Sequence, residues 1–403
     1  MRKRGQKPFF STYLLYNYGM TSYNFLLSIS IILVFTKVLG YCSNKVNMPN
    51  VVGALIAGIL IGPSCLGLVT ETDFILKASE IGVILLMFTA GMETDMQELK
   101  KNSLACMVIA AIGVVVPLIG GSLCYYLMFE PGSTSYTEIL KAVFVGVVLT
   151  ATSVSITVEA LREMGKLEGK VGSSILGAAV IDDIIGIIVL TIVISMKDNS
   201  VSLGTVFLQI TMFAVAMLLL GFGLSRLKGK IDMQANKQRA TTYTLASCFL
   251  IAYLTETVFG VADITGAYLL GLFLSQHDIK HEVTKNAGRL STLFFSPVFF
   301  ASVGLKVNLD GITWGLVGFS AILLLVAILT KIIGCGLGAK ACGYSWSESV
   351  QVGVGMISRG EVALIVAQKG FSIGLIDNYM FPPIIIVVIA TTIITPIILK
   401  KIM

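Results

Sequence analysis

The sequence predicts an all-α polytopic membrane protein of about 13 transmembrane helices, arranged as inverted repeats with two crossed discontinuous helices. Three observations predict it. Mean hydropathy is +0.88, with 55% hydrophobic and 13% charged residues in a chain of 403, against about a quarter charged in soluble domains. Apolar stretches recur at lengths near the roughly 20 residues that cross about 30 Å of hydrocarbon. Two pairs of segments match at a single offset of 213 residues.

Residues 1–21 read as an N-terminal tail: the start is basic, its apolar part is short and aromatic, and no small-residue cleavage site follows. Met20 is an alternative start. The unit itself is expected over 22–403, with helices at 22–42, 50–69, 75–93, 102–128, 137–163, 170–196, 202–226, 239–259, 262–277, 287–304, 313–340, 347–370 and 379–400. The second, ninth and tenth are short or interrupted by Gly or Pro. The 40 glycines against 9 prolines suit helices that approach closely in a membrane.

Basic residues set the orientation. The loops after helices 3, 5, 7 and 9 carry Lys100, Lys101, Arg162, Lys166, Lys170, Arg226, Lys228, Lys230, Lys237, Arg239, Lys280, Lys285 and Arg289, against Lys77, Lys197, Lys306 and Lys369 on the other side. The positive-inside rule puts the rich loops and the C-terminus in the cytoplasm. An odd helix count then puts the N-terminus outside, although Arg2, Lys3, Arg4 and Lys7 argue against it.

GALIAGILIG at 53–62 matches GAYLLGLFLS at 266–275, and at the same offset LMFTAGMETDM (86–96) falls on FFASVGLKVNL (299–309), Gly91 on Gly304. A displacement of seven helices inverts the second copy. The repeats are 22–196 and 239–400, joined by a linker helix at 202–226. Inverted repeats are a transporter signature, with the site near the midplane between them.

The site candidates follow. Helix 5 holds TATSVSIT (150–157), five hydroxyls in eight residues. Helix 12, its counterpart, holds GVGMISRGE (353–361) with Arg359 and Glu361. Both runs favour unwinding, which exposes carbonyls and helix-end dipoles to a cation; back-bonding of the hydroxyls within intact helices is the alternative. Helix 6 carries Asp182 and Asp183 in a stretch from Val171 to Ser195 that has no other charge. Carboxylates at that depth cost several kcal/mol or more. Neighbours on a helix point about 100° apart, so one faces a cavity while the other faces a packed helix. Lys331, inside ILLLVAILTKIIG (322–334) of helix 11, either pairs with a carboxylate or snorkels to the interface. Arg359 and Glu361 are expected to neutralise each other or cap the broken helix. Glu159, Arg162 and Glu163 read as a solvated helix end, and His277 and His281 as a solvated loop.

Several classes are excluded or disfavoured. No basic stripe is interleaved with aromatics, so nucleic acid is not a partner. The seven cysteines form no CxxC pair, which leaves neither zinc ligands nor a disulfide framework, and no cofactor is expected. An aspartyl protease needs two carboxylates facing across one peptide, which consecutive residues do not give, so the chain is not read as an enzyme. A channel has less need of inverted symmetry and of a paired lysine.

TATS in helix 5, the Asp-Asp pair in helix 6, TKIIG with Lys331 in helix 11 and SRGE in helix 12 together resemble the bacterial monovalent cation:proton antiporters, of the Kef-type and sodium/proton branch. The similarity covers nearly the whole chain, including GALIAGILIGP and FFASVG. It implies the sodium/proton antiporter fold, a core domain that includes helices 5, 6, 11 and 12, a dimerisation domain, and a homodimer in the bacterial inner membrane working by elevator-like movement. It makes Asp183 the carboxylate that binds Na⁺ or H⁺, Asp182 the partner of Lys331, and Thr152 and Ser153 part of the site lining. The implied activity is export of cytoplasmic Na⁺ (or Li⁺ or K⁺) against H⁺ entry, electrogenic as in the branch with two aspartates, serving pH homeostasis. K⁺/H⁺ exchange of the Kef type and a sodium-coupled solute symporter of the same fold are the alternatives. Ending at Met403 without a GxGxxG motif, the chain departs from the Kef members that carry a nucleotide-binding regulatory domain.

Overall fold

The computed structural model describes residues 9–129, 131–197, 203–234, 237–307, 314–377 and 379–403; side chains of 9–23, 227–239 and 314 are outside that description. In order the helices are α1 (Phe9–Lys45), α2 (Asn50–Ile61), α3 (Asp73–Glu93), α4 (Met96–Lys101), α5 (Ser103–Phe129), α6 (Tyr136–Thr150), α7 (Val154–Glu163), α8 (Lys170–Lys197), α9 (Leu203–Gln234), α10 (Lys237–Thr257), α11 (Asp263–Leu274), α12 (Lys280–Leu290), α13 (Ser296–Leu305), α14 (Trp314–Ala341), α15 (Trp346–Gly355), α16 (Glu361–Ser372) and α17 (Phe381–Ile402). A π-helical turn, Ser291–Phe295, joins α12 to α13.

Each of the expected stretches contains helix. Among the described residues nine spans are long and apolar enough to cross a membrane, and α2 and α11 are shorter apolar helices. Four boundaries differ from expectation. The linker helix α9 runs on to Gln234, past the expected 226. Helix α1 starts at Phe9 instead of 22, while Arg2, Lys3, Arg4 and Lys7 lie outside the described residues. The second stretch stops at Ile61, and the chain folds back with Val69 N–H donating to the Ile61 carbonyl. The tenth is continuous with α12 through the π turn, which absorbs the offset that Pro297 would otherwise impose as a break.

Two groups of helices pack mainly within themselves. One is built on α5 against α6, α8 and α14, with α14 on α15 and α17; the other is α1 on α2, α3 on α11 and α13, α2 on α13 and α10 on α11. The second group shows the inverted repeat in atomic contacts. A Cβ on Gly58 would strike the Ala301 carbonyl, and one on Gly271 the Phe88 carbonyl; a Cβ on Gly91 would strike the Tyr268 carbonyl, and one on Gly304 that of Leu55. Each contact maps onto its mate by the same shift of 213 residues, so α2 packs on α13 as α11 packs on α3. Absence of a side chain lets these backbones touch.

Below, the end of the bundle carrying Lys100, Lys166 and Lys340 is the basic end; the other, carrying Glu71 and Lys306, is the far end. Lys228, Lys230, Lys237 and Arg239 belong to the first by chain order, with side chains outside the described set.

Candidate ion site at the helix crossing

Both interrupted helices break. Between α6 and α7 residues 151–153 are extended, with Ala151 at φ −57°, ψ 133° and Ser153 at φ −91°, ψ 100°. Between α15 and α16 the break is 356–360. The breaks touch: Ser153 N–H donates to the Ser358 carbonyl at 2.7 Å, and the Thr157 hydroxyl donates to the Gly355 carbonyl at 2.8 Å. Gly360 leaves room that a Cβ would take from the Ser153 side chain. The hydroxyl-rich run is therefore used across the crossing and not only for back-bonding inside a helix.

Asp182 and Asp183 on α8 meet this crossing in different circumstances. Lys331 Nζ on α14 lies 3.1 and 3.4 Å from the two oxygens of Asp182, with side-chain exposures of 0% and 2%. The lysine does not snorkel. The Thr152 hydroxyl, in the α6–α7 break beside this pair, donates to the Thr150 carbonyl at 3.5 Å. Asp183 is partly exposed and, among the described residues, accepts no hydrogen bond. On its basic side α8 is wholly buried from Gly172 to Val180, whereas residues 183–190 are all partly exposed. Asp183 thus stands where α8 emerges toward the far end.

Arg359, fully buried, lies in the α15–α16 break. Its guanidinium donates to the carbonyls of Ile357 (2.7 Å), Leu149 (2.7 Å) and Ala327 (3.1 Å). Leu149 is in the last turn of α6, where carbonyls lack helical partners and carry the negative end of the dipole. One cation therefore satisfies both breaks and the lysine-bearing helix. The expected neutralisation of Arg359 by Glu361 is not what is found: no ion pair joins them among the described residues, and Glu361 sits in the first turn of α16, where a carboxylate complements the positive end of the dipole.

Sequence reasoning missed three features. Thr392 of α17 donates to the Arg359 carbonyl, and Pro396, four residues on, leaves the carbonyl of Thr392 without its helical donor; the TTIIT run (391–395) was the available signal. Glu159 and Arg162 are not a solvated end, whereas Glu163 is exposed as expected but is bonded. Glu159 is 8% exposed, Arg162 bonds Glu93 (2.8 Å), Glu159 (3.1 Å) and the Thr89 hydroxyl (2.9 Å), and Glu163 accepts from the N–H groups of Asn50 and Val51. Partners on α2 and α3, distant in sequence, pull this helix end into contact. His277 is likewise buried, while His281 is exposed as expected.

Comparison with known proteins gives the family. The model of the sodium/hydrogen exchanger transmembrane family matches residues 30–403. The Na⁺/H⁺-K⁺ antiporter GerN of Bacillus cereus is 40% identical over 380 residues, covering 94% of this chain and 96% of that protein. A Na⁺/H⁺ antiporter of Enterococcus hirae is 38% identical, covering 92% and 96%. The solved sodium proton antiporter MjNhaP1 of Methanocaldococcus jannaschii superposes with a TM-score of 0.67 over 93% of this chain and 98% of its own, at 16% identity, a likeness of fold. These relatives are transporters, and the chain belongs to the sodium/hydrogen exchanger family of cation:proton antiporters.

Proposed function

We propose that this chain is a secondary active antiporter exchanging cytoplasmic Na⁺ or Li⁺ for external H⁺ across a bacterial plasma membrane, with the basic end cytoplasmic. The observation that carries it is the unequal state of two adjacent carboxylates. Asp182 is committed to Lys331, while Asp183 is partly open and has no hydrogen-bond or ion-pair partner among the described residues. A lone carboxylate beside hydroxyls and freed carbonyls offers hard oxygen ligands to a small cation or a single acceptor to a proton, and the two occupants exclude each other. Only an occupied site is neutral enough to pass a hydrocarbon barrier, because bare charge there costs several kcal/mol. Exchange follows from that exclusion.

The two packing groups support an elevator-type cycle, with the α5–α8 and α14–α17 group as core and the other as a dimerisation domain of a homodimer. If Lys331 releases a proton when cation binds, more than one proton enters per cation. Transport is then electrogenic, worth about 2.3 kcal/mol per charge per 100 mV. Potassium is the second substrate to test, because the name of the Bacillus cereus relative includes it.

Purified protein in proteoliposomes with a pH-sensitive dye tests this. Na⁺, Li⁺ or K⁺ added to vesicles holding a proton gradient is expected to restore dye fluorescence in the wild type and not in Asp183→Asn. Recovery in the mutant equal to wild type rejects the site.

A further inference from the structure

The two broken helices are treated unequally by their surroundings. Every residue of α7 from Val154 to Leu161 is buried, and α7 packs on α2 and α3 as well as on α8 and α17. In α16 only Ala363, Val366, Ala367 and Gly370 are buried, a single stripe whose main packing is on α6 and α17. Its other face, with Gln368 and Lys369, is exposed, and Glu361 is half-buried at its start. With α8 also buried on the basic side of Asp183 and open beyond it, the crossing is closed toward the basic end. A cavity of about 210 Å³ at that end, lined by Lys37, Asn50, Glu159, Glu163, Thr292 and Ser296 among others, includes neither aspartate nor any residue of the two breaks.

What closes it is polar. Arg162 on α7 reaches α3 through Glu93, the Thr89 hydroxyl and the Leu86 carbonyl (3.4 Å), held in place by Glu159 on its own helix. One turn along, the Glu163 carboxylate caps α2, taking N–H bonds from Asn50 at 2.7 Å and Val51 at 3.2 Å. Pro49, at the cap position of α2, offers no side-chain bond of its own. Lys37 of α1 is the remaining charge acting on Glu159. Apart from the Arg162–Glu159 bond within α7, these bonds cross from one packing group to the other.

The repeat makes the comparison at the far end. The shift of 213 that pairs Gly91 with Gly304 pairs Glu93 with Lys306 and Thr89 with Ser302. Pairing the caps of the broken helices, Ser153 with Gly360, sets Arg162 against Lys369. The acid that receives the core's cation at the basic end is replaced at the far end by a second cation, which is held by Glu71 at 3.6 Å.

We propose that Arg162, Glu93 and Glu163 form a latch that positions the core with its site facing the far end, and that no equivalent latch stands at the far end among the described residues, so these residues set the resting balance between the two access states. The inference rests on the alternating-access reading above.

Spin labels at exposed Lys45 and Lys166, in a background cleared of Cys42, Cys65 and Cys342, report the distance across the latch by pulsed double resonance in the full-length protein. Arg162→Gln or Glu93→Gln is expected to raise the long-distance, basic-end-open population on the order of tenfold, as loss of a partly buried ion pair allows. The double variant Glu93→Gln with Arg162→Gln shifts it by less than the sum of the single shifts, because the two residues share one ion pair, which unrelated folding defects would not do. Lys306→Glu, which installs the missing acid opposite Lys369, shifts the balance in the same direction as Arg162→Gln. Unchanged distances in the single variants, or shifts that simply add in the double variant, overturn the latch. The flux assay on the wild type is read separately: absent exchange sinks the antiport reading, while the distance shifts still decide the latch.

Discussion

Lys331 and Asp182 form an ion pair removed from water, and such a pair is judged by what happens when one member is deleted. Lys331→Gln leaves a carboxylate at 2% exposure without its cation, an arrangement that costs about 3–5 kcal/mol. Replacing both members with neutral groups removes the stranded charge. Lys331→Gln is therefore expected to lower the thermal unfolding midpoint clearly, and Asp182→Asn with Lys331→Gln to recover most of the loss. A double variant no more stable than the single one would show that the stranded charge is not the cause. Arg359 is a different case because its partners are carbonyls on α6, α14 and its own break. A planar fork with several donors meets three acceptors that one ammonium group does not. Arg359→Lys is expected to leave at least one buried carbonyl unsatisfied, at about 1–3 kcal/mol, read as a lower midpoint together with slower exchange.

At the scale of elements, the reciprocal glycine contacts make a sharper test of the repeat than sequence similarity does. Gly271→Val on α11 drives a side chain into the Phe88 carbonyl of α3, and Gly58→Val on α2 does the same at Ala301. Each is expected to cost about 1–3 kcal/mol by overpacking. Gly288→Ala on α12, where an added Cβ meets nothing within 4 Å, is expected to be neutral or stabilising by roughly 0.5–1 kcal/mol. Comparable losses at all three positions would remove the close-approach argument. These elements also show what a sequence can and cannot disclose. Hydropathy placed the helical stretches because a segment that crosses hydrocarbon needs a long apolar run, and hydroxyl and glycine runs marked the breaks because intact helices use them poorly. The latch stayed hidden: Arg162 and Glu163 sit at a helix end where exposure is the ordinary state, and their partners are on α3 and α2. Arg359 was visible as a buried charge, but its acceptors are backbone carbonyls, which have no residue type to read. The end of α2 at Ile61 was only partly legible: Gly62 and Pro63 interrupt the run, but Leu66, Leu68 and Val69 keep it apolar while the chain turns back.

At the scale of the molecule, an ion site facing one end couples ligand to fold stability. A cation that binds the folded protein and not the unfolded chain stabilises it by about 2.7 kcal/mol at a hundred times its dissociation constant. Na⁺ is therefore expected to raise the unfolding midpoint of the wild type in detergent, and to do nothing for Asp183→Asn. Competition gives the sign with pH. Each cation bound displaces a proton from the same carboxylate, so while the empty site is protonated, apparent affinity falls about tenfold for every pH unit lost. The Na⁺-dependent shift should thus grow as pH rises and fade as it falls, with H⁺ and Na⁺ acting on one group. Choline at matched ionic strength is the control for screening. A shift of equal size at all pH values, or one retained in Asp183→Asn, would mean that Na⁺ and H⁺ are bound at separate places, and single-site exchange could not then be the mechanism.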